Sequence, residues 1–204
     1  MSDQNDHVDL RDNKPLARAV LFVALANFAY FGVEFTVARL IGSVSLFADS
    51  IDFLEDASVN LLILVGIGWS MRGRARLGMA LALVLLVPGL ATLWTAWAKF
   101  NVPIAPSPIP LSLAALGALA VNATCAINLA RFRHHQGSLT KAAYLSARND
   151  AVANIAIILA AVVTATLWRS AWPDLIVGLA IAAMNADAAR EIWEAARAEH
   201  RAEA

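Results

Sequence analysis

Hydrophobic residues fill six long stretches of the chain, and polar or proline-rich segments separate them. The stretches fall at about 16–40, 43–70, 77–98, 110–132, 141–167 and 172–190. Each is long enough to cross roughly 30 Å of hydrocarbon at about 1.5 Å per residue. The pattern predicts an all-α membrane protein of six transmembrane helices. A polar N-terminal tail (1–15) precedes the transmembrane domain (16–190), and a short amphipathic tail (191–204) follows it. The segment NVPIAPSPIP between the third and fourth stretches reads as an aqueous loop, because its prolines oppose helix. Pro88 is expected to kink the third helix. The first fifteen residues are too polar for a signal-peptide core, so the first stretch is expected to remain as an anchor.

Composition supports this class. Of 204 residues, 59 % are hydrophobic, and the mean hydropathy is +0.61. A soluble domain of this length has too little interior to hide so much hydrocarbon. The formal net charge of zero provides no excess cation for a nucleic-acid partner. A lone Cys125 excludes an internal disulfide. Basic residues alternate in density between loops. Arg11, Lys14 and Arg18 precede the first stretch, and Arg72, Arg74 and Arg76 follow the second. Arg131, Arg133 and Lys141 follow the fourth, and Arg190, Arg197 and Arg201 follow the sixth. The intervening loops hold only Arg39, Lys99 and Arg169, so both termini are predicted to be cytoplasmic. The expected location is a bacterial inner membrane. Trp94, Trp97, Trp168 and Trp172 read as interface anchors.

Ionisable residues inside the spans carry the chemistry, since they are costly in hydrocarbon. In the second stretch, Asp49, Asp52 and Asp56 share one helical face at offsets of three, four and seven, with Glu55 turned away by about 100°. Three like charges so spaced repel one another, and a divalent cation or protons would compensate them. One arginine, Arg148, cannot balance four acids. In the fifth stretch Ser146, Asp150 and Asn154 share a face and all offer oxygen, so Asp150 can complete a site with Asp52 and Asp56. Arg148 lies roughly 200° from Asp150 around the helix. It suits Asp49, Glu55 or Glu34 as a partner, or lipid headgroups by snorkelling.

A short internal match supports the pairing. Asp56-Ala-Ser-Val-Asn60 and Asp150-Ala-Val-Ala-Asn154 both read D-A-x-x-N followed by aliphatics. The second and fifth spans are expected to run in opposite directions. That is the arrangement of an inverted-repeat-like bundle with its substrate at the midplane.

These segments, GSVSLFADSIDFLEDASVNLLIL, KAAYLSARNDAVANIAIIL and WPDLIVGLAIAAMNADAAREIWEAA, together with Asn27 and Glu34, resemble the cation diffusion facilitator family of proton-coupled metal exporters. The resemblance implies an acidic or histidine pair on the second helix, filled by Asp52 and Asp56, and another on the fifth, occupied by Ser146 and Asp150. It also implies a homodimer. Ser146 stands where members usually have His or Asp, leaving Ser146, Asn149, Asp49 or water for the fourth position. The chain resembles the short members that lack the usual cytoplasmic domain after the sixth helix.

An all-oxygen site favours Mn²⁺, Fe²⁺ or Co²⁺, with Zn²⁺ and Cd²⁺ also open to carboxylates. The histidines, His7, His134, His135 and His200, fall in aqueous segments. The expected mechanism is alternating access, with the metal as substrate, protons as counter-ion and no resident cofactor. The alternative is a proton-coupled carrier of an organic cation. A membrane hydrolase is disfavoured, because GxGD-like motifs are absent. Asp174, after Pro173, reads as the N-terminal cap of the sixth helix or a guide for exiting cations. Asn27, Asn122 and Asn128 read as interhelical hydrogen-bonders, with Asn27 nearest the transport route, and Cys125 as a packing residue.

Overall fold

The computed structural model describes residues 14–65, 71–130 and 137–202. All regular structure among them is helical: α1 Lys14–Ile41, α2 Val44–Val65, α3 Met71–Asn101, α4 Pro108–Ala130, α5 Gly137–Thr166 and α6 Trp172–Ala202. One helix lies in each apolar stretch. α6 runs unbroken to Ala202, so the described part of the amphipathic segment after 190 is helical. On it Arg190 pairs with Glu194 at 2.8 Å, one turn on and solvent-exposed.

The helix ends follow from local chemistry. α1 stops at Gly42, whose φ of 63° is the left-handed conformation that glycine adopts without steric cost. The Ser43 amide then donates back to Ala38 O at 3.1 Å, closing a Schellman-type end. Ser43 also starts α2, because its hydroxyl accepts the Leu46 amide at 3.1 Å. The proline-rich segment is only partly loop: Pro108 and Pro110 lie in the first turn of α4, where a missing N–H costs nothing. Before α6 the Ser170 hydroxyl accepts the Trp172 amide at 3.3 Å.

Three buried clusters show how the helices run. The largest joins the end of α1 (Ala38), the start of α2 (Leu46, Ile51), the start of α4 (Leu111, Ala115) and the second half of α5 (Ile157, Ala161). A second joins Val23 early in α1 to Cys125 and Leu129 late in α4. The third joins Val44, Ala96, Ala171 and Leu175, from the start of α2, the end of α3 and the start of α6. Successive helices therefore alternate in direction, and α2 and α5 are antiparallel. Small residues permit close approach. Gly117 of α4 leaves room for Tyr30 of α1, whose hydroxyl donates to Ala114 O at 2.7 Å.

The outer faces are apolar, with Leu25, Trp94, Leu113 and Leu159 all more than half exposed. Such faces suit hydrocarbon rather than water. Among the described residues α1 and α4 are long and apolar enough to cross a membrane, and Asp150–Thr166 and Trp172–Met184 are shorter apolar segments. Trp94, Trp97, Trp168 and Trp172 are exposed. Phe100 bridges two of them, stacking on Trp97 and meeting Trp172 edge-on.

Asp174 does not act as the cap of its own helix. Its buried carboxylate reaches α2, where Oδ2 accepts the Val44 amide at 2.8 Å and Oδ1 the Ser45 amide at 3.2 Å. Oδ1 also accepts the hydroxyls of Ser43 and Ser45, each at 2.6 Å. Lys99 of α3 pairs with Oδ2 at 3.0 Å and donates to Gly42 O. Lys99 is thus a buried structural cation rather than a loop charge. An anion at a helix N-terminus is favoured by the free amides and the helix dipole. With both oxygens occupied, the carboxylate is not available to guide a leaving cation.

Candidate metal centre

The acids of α2 begin just beyond this network and extend past the helix centre. Asp49, Asp52 and Asp56 project from neighbouring turns because offsets of three and four return to the same face. Asp49 is fully buried, whereas Asp52 and Asp56 are half-buried, as is Asp150 of α5. The Asp56 and Asp150 carboxyls lie within hydrogen-bonding reach of each other, and Asp52 lies within Coulombic range of both. Glu55 is buried nearby, and its charge is felt at Asp52 and Asp150.

Asp49 faces a different partner. Its carboxyl meets that of Glu34 from α1 closely enough for a proton to bridge them, and both side chains are completely buried. No donor reaches any of the four oxygens among the described residues. Two carboxyls enclosed without a donor repel unless a proton or a cation lies between them.

Asn27 of α1 contacts the other group. Its Nδ2 donates to Asp56 Oδ2 at 3.4 Å, and its Oδ1 accepts from the Cys125 thiol at 4.0 Å. The side chains of Asn27 and Cys125 thus back Asp56, and Cys125 does more than pack. Among the described residues no three His, Cys, Asp or Glu side chains converge tightly enough to hold one ion. The described arrangement is therefore a two-carboxyl contact with Asp52 beside it. The side chains of Ser146, Arg148, Asn149, His134 and His135, with those of His7 and His200, lie outside the described residues.

A family model for the cation efflux transmembrane domain matches residues 20–198, nearly the whole chain. The chain belongs to the cation efflux family. It is a membrane protein, a cation transporter of the cation diffusion facilitator type, and members of this family are transporters of divalent metal cations rather than enzymes. No individual curated protein matches the chain. All the acids described above, with Asn27 and Cys125, fall inside the matched segment.

Two features of the site are not evident from residue spacing. The Glu34–Asp49 contact joins helices whose rotation about their axes spacing leaves undetermined. An unusual glutamate in an apolar first helix was the available signal, since acids in spans are costly and need a reason. The Asn27–Cys125 contact carried weaker signals, because each residue alone passes for packing.

Proposed function

We propose that the chain exports a divalent metal cation in exchange for protons, using Asp52, Asp56 and Asp150 as its principal ligands. The observation that carries this reading is the contact of the Asp56 and Asp150 carboxyls from antiparallel helices, with Asp52 in the same field. Like charges in a low-dielectric bundle need a compensating cation, and a dication or two protons can alternate in that role. Half-burial keeps these acids accessible to an ion. Ser146, Asn149, Asp49 or water completes the coordination when the helices close on the cation.

In this reading six helices cross the membrane with both termini cytoplasmic, as the basic loops require. The protein works as a homodimer in a bacterial inner membrane. The all-oxygen donor set suits Mn²⁺, Fe²⁺ or Co²⁺, with Zn²⁺ and Cd²⁺ accepted through carboxylate ligands. Rocking of the helix pairs exposes the site alternately, and protonation on the far side displaces the ion.

Proteoliposomes containing a pH-sensitive dye test the reading. An imposed cation gradient should move protons through the unmodified chain, and Asp56→Ala or Asp150→Ala should abolish that movement. Rates equal to wild type in both variants would remove these residues from the site. Proton movement driven by an organic cation, with no response to metals, would favour the other class of carrier.

A further inference from the structure

The sequence motif repeated in α2 and α5 ends in an asparagine that the carboxylate site leaves unused. Asn60 lies one turn beyond Asp56, and Asn154 one turn beyond Asp150. Each donates its Nδ2 to the backbone oxygen of the preceding acid, at 2.8 Å in both helices. That bond holds each amide against its own helix. Asn60 is 4 % exposed and Asn154 is fully buried. Among the described residues neither Oδ1 has a hydrogen-bond partner.

A buried amide oxygen without a donor is unfavourable, and native interiors hold few of them. Here the same omission recurs at both copies of one motif, on the helical faces that carry the paired acids. Because α2 and α5 are antiparallel, one turn forward along each leads to opposite sides of the Asp56–Asp150 contact. The step is about 6 Å along each axis. Asn60 thus lies on the side of the α2 C-terminus, and Asn154 on the side of the α5 C-terminus.

A neutral, hard oxygen suits a partly dehydrated divalent cation. It adds no charge to the acids while the cation is absent. We infer that Asn60 and Asn154 are cation ligands flanking the carboxylates, each serving the passage of the ion on its own side. The inference rests on the transport reading above and adds the side on which each neutral ligand acts.

Calorimetric titration of the purified protein with Mn²⁺ provides the first test. Asn60→Ala and Asn154→Ala should each weaken binding by about fivefold, the scale of one neutral polar contact. Asn60→Asp separates the two roles of the side chain, because it keeps an oxygen and loses the Nδ2 donor. A ligand role predicts that Asn60→Asp retains Mn²⁺ affinity. If the helix-bound Nδ2 were what mattered, Asn60→Asp would bind as weakly as Asn60→Ala, and the inference would fall.

Oriented proteoliposomes provide the second test. Asn60→Ala should raise KM for Mn²⁺ presented at the face bearing the α2 C-terminus, and Asn154→Ala at the opposite face. Equal shifts at both faces would overturn the assignment. An unmodified chain that produces no binding heat with Mn²⁺, Fe²⁺, Co²⁺, Zn²⁺ or Cd²⁺ removes the transport reading itself. One that binds Mn²⁺, beside alanine variants that bind it equally well, removes only the asparagines.

Discussion

At the turn between α1 and α2, the Asp174 carboxylate accepts hydrogen bonds from Ser43, Val44, Ser45 and Lys99. A short way along the same helix, Asp49 is equally buried, yet it faces another carboxyl and its oxygens accept nothing among the described residues. The two regions begin with the same group in the same kind of interior. One is neutralised by lysine, hydroxyls and the free amides of a helix start. The other lies past the first turn of α2, where backbone amides are already committed to helix hydrogen bonds. The difference shows what each region can do: a satisfied carboxylate fixes geometry, and an unsatisfied one waits for a proton or a cation.

The largest expected effect comes from breaking the satisfied region. Asp174→Ala leaves the Lys99 ammonium buried without its counter-charge, and removing one partner of a buried pair costs about 3–5 kcal/mol. The thermal midpoint in detergent should fall sharply. A midpoint equal to wild type would show that the network does not hold the helices together.

Gly178 provides a milder test of the same region. A Cβ there would lie 2.7 Å from both Ser45 N and Val44 C, which are backbone atoms that cannot rotate away. Gly178→Ala should push α2 from α6 at a cost of about 1–3 kcal/mol. Denaturant or thermal unfolding in detergent reads the loss, and an unchanged stability would mean that the two helices separate easily.

The smallest effect is expected from the unsatisfied region, where its sign sharpens the contrast. Glu34→Gln replaces an oxygen that has no donor with an amide able to donate to Asp49. Stability should stay within about 1 kcal/mol of wild type or rise, the scale of one added hydrogen bond. A loss of several kcal/mol on the same unfolding assay would show that the Glu34–Asp49 pair is a structural element like Asp174.

Much of the helical layout was legible in the residue pattern. Each of the six apolar stretches contains a helix, because uninterrupted apolar sequence bounded by polar and proline-rich segments leaves the backbone few other ways to satisfy its own amides in hydrocarbon. The proline-rich segment was less legible, since Pro108 and Pro110 are compatible with a first helical turn as well as with a loop. The acidic face of α2 was also legible from offsets of three and four. Which acids meet another helix was not, and Asp49 turned toward Glu34 rather than Asp150 as its close neighbour.

The sequence by itself determined the membrane class, the six helical stretches, the family resemblance and the presence of acids within the apolar stretches. These depend on local composition and on spacing along one helix. Only the tertiary structure decided that Asp174 would serve α2 instead of α6, that Lys99 would be buried beside it, and that Asn27 and Cys125 would stand behind Asp56. Those pairings join residues 29 to 131 positions apart. They depend on how each helix is rotated and which helix ends meet, and periodicity along a single helix does not specify either.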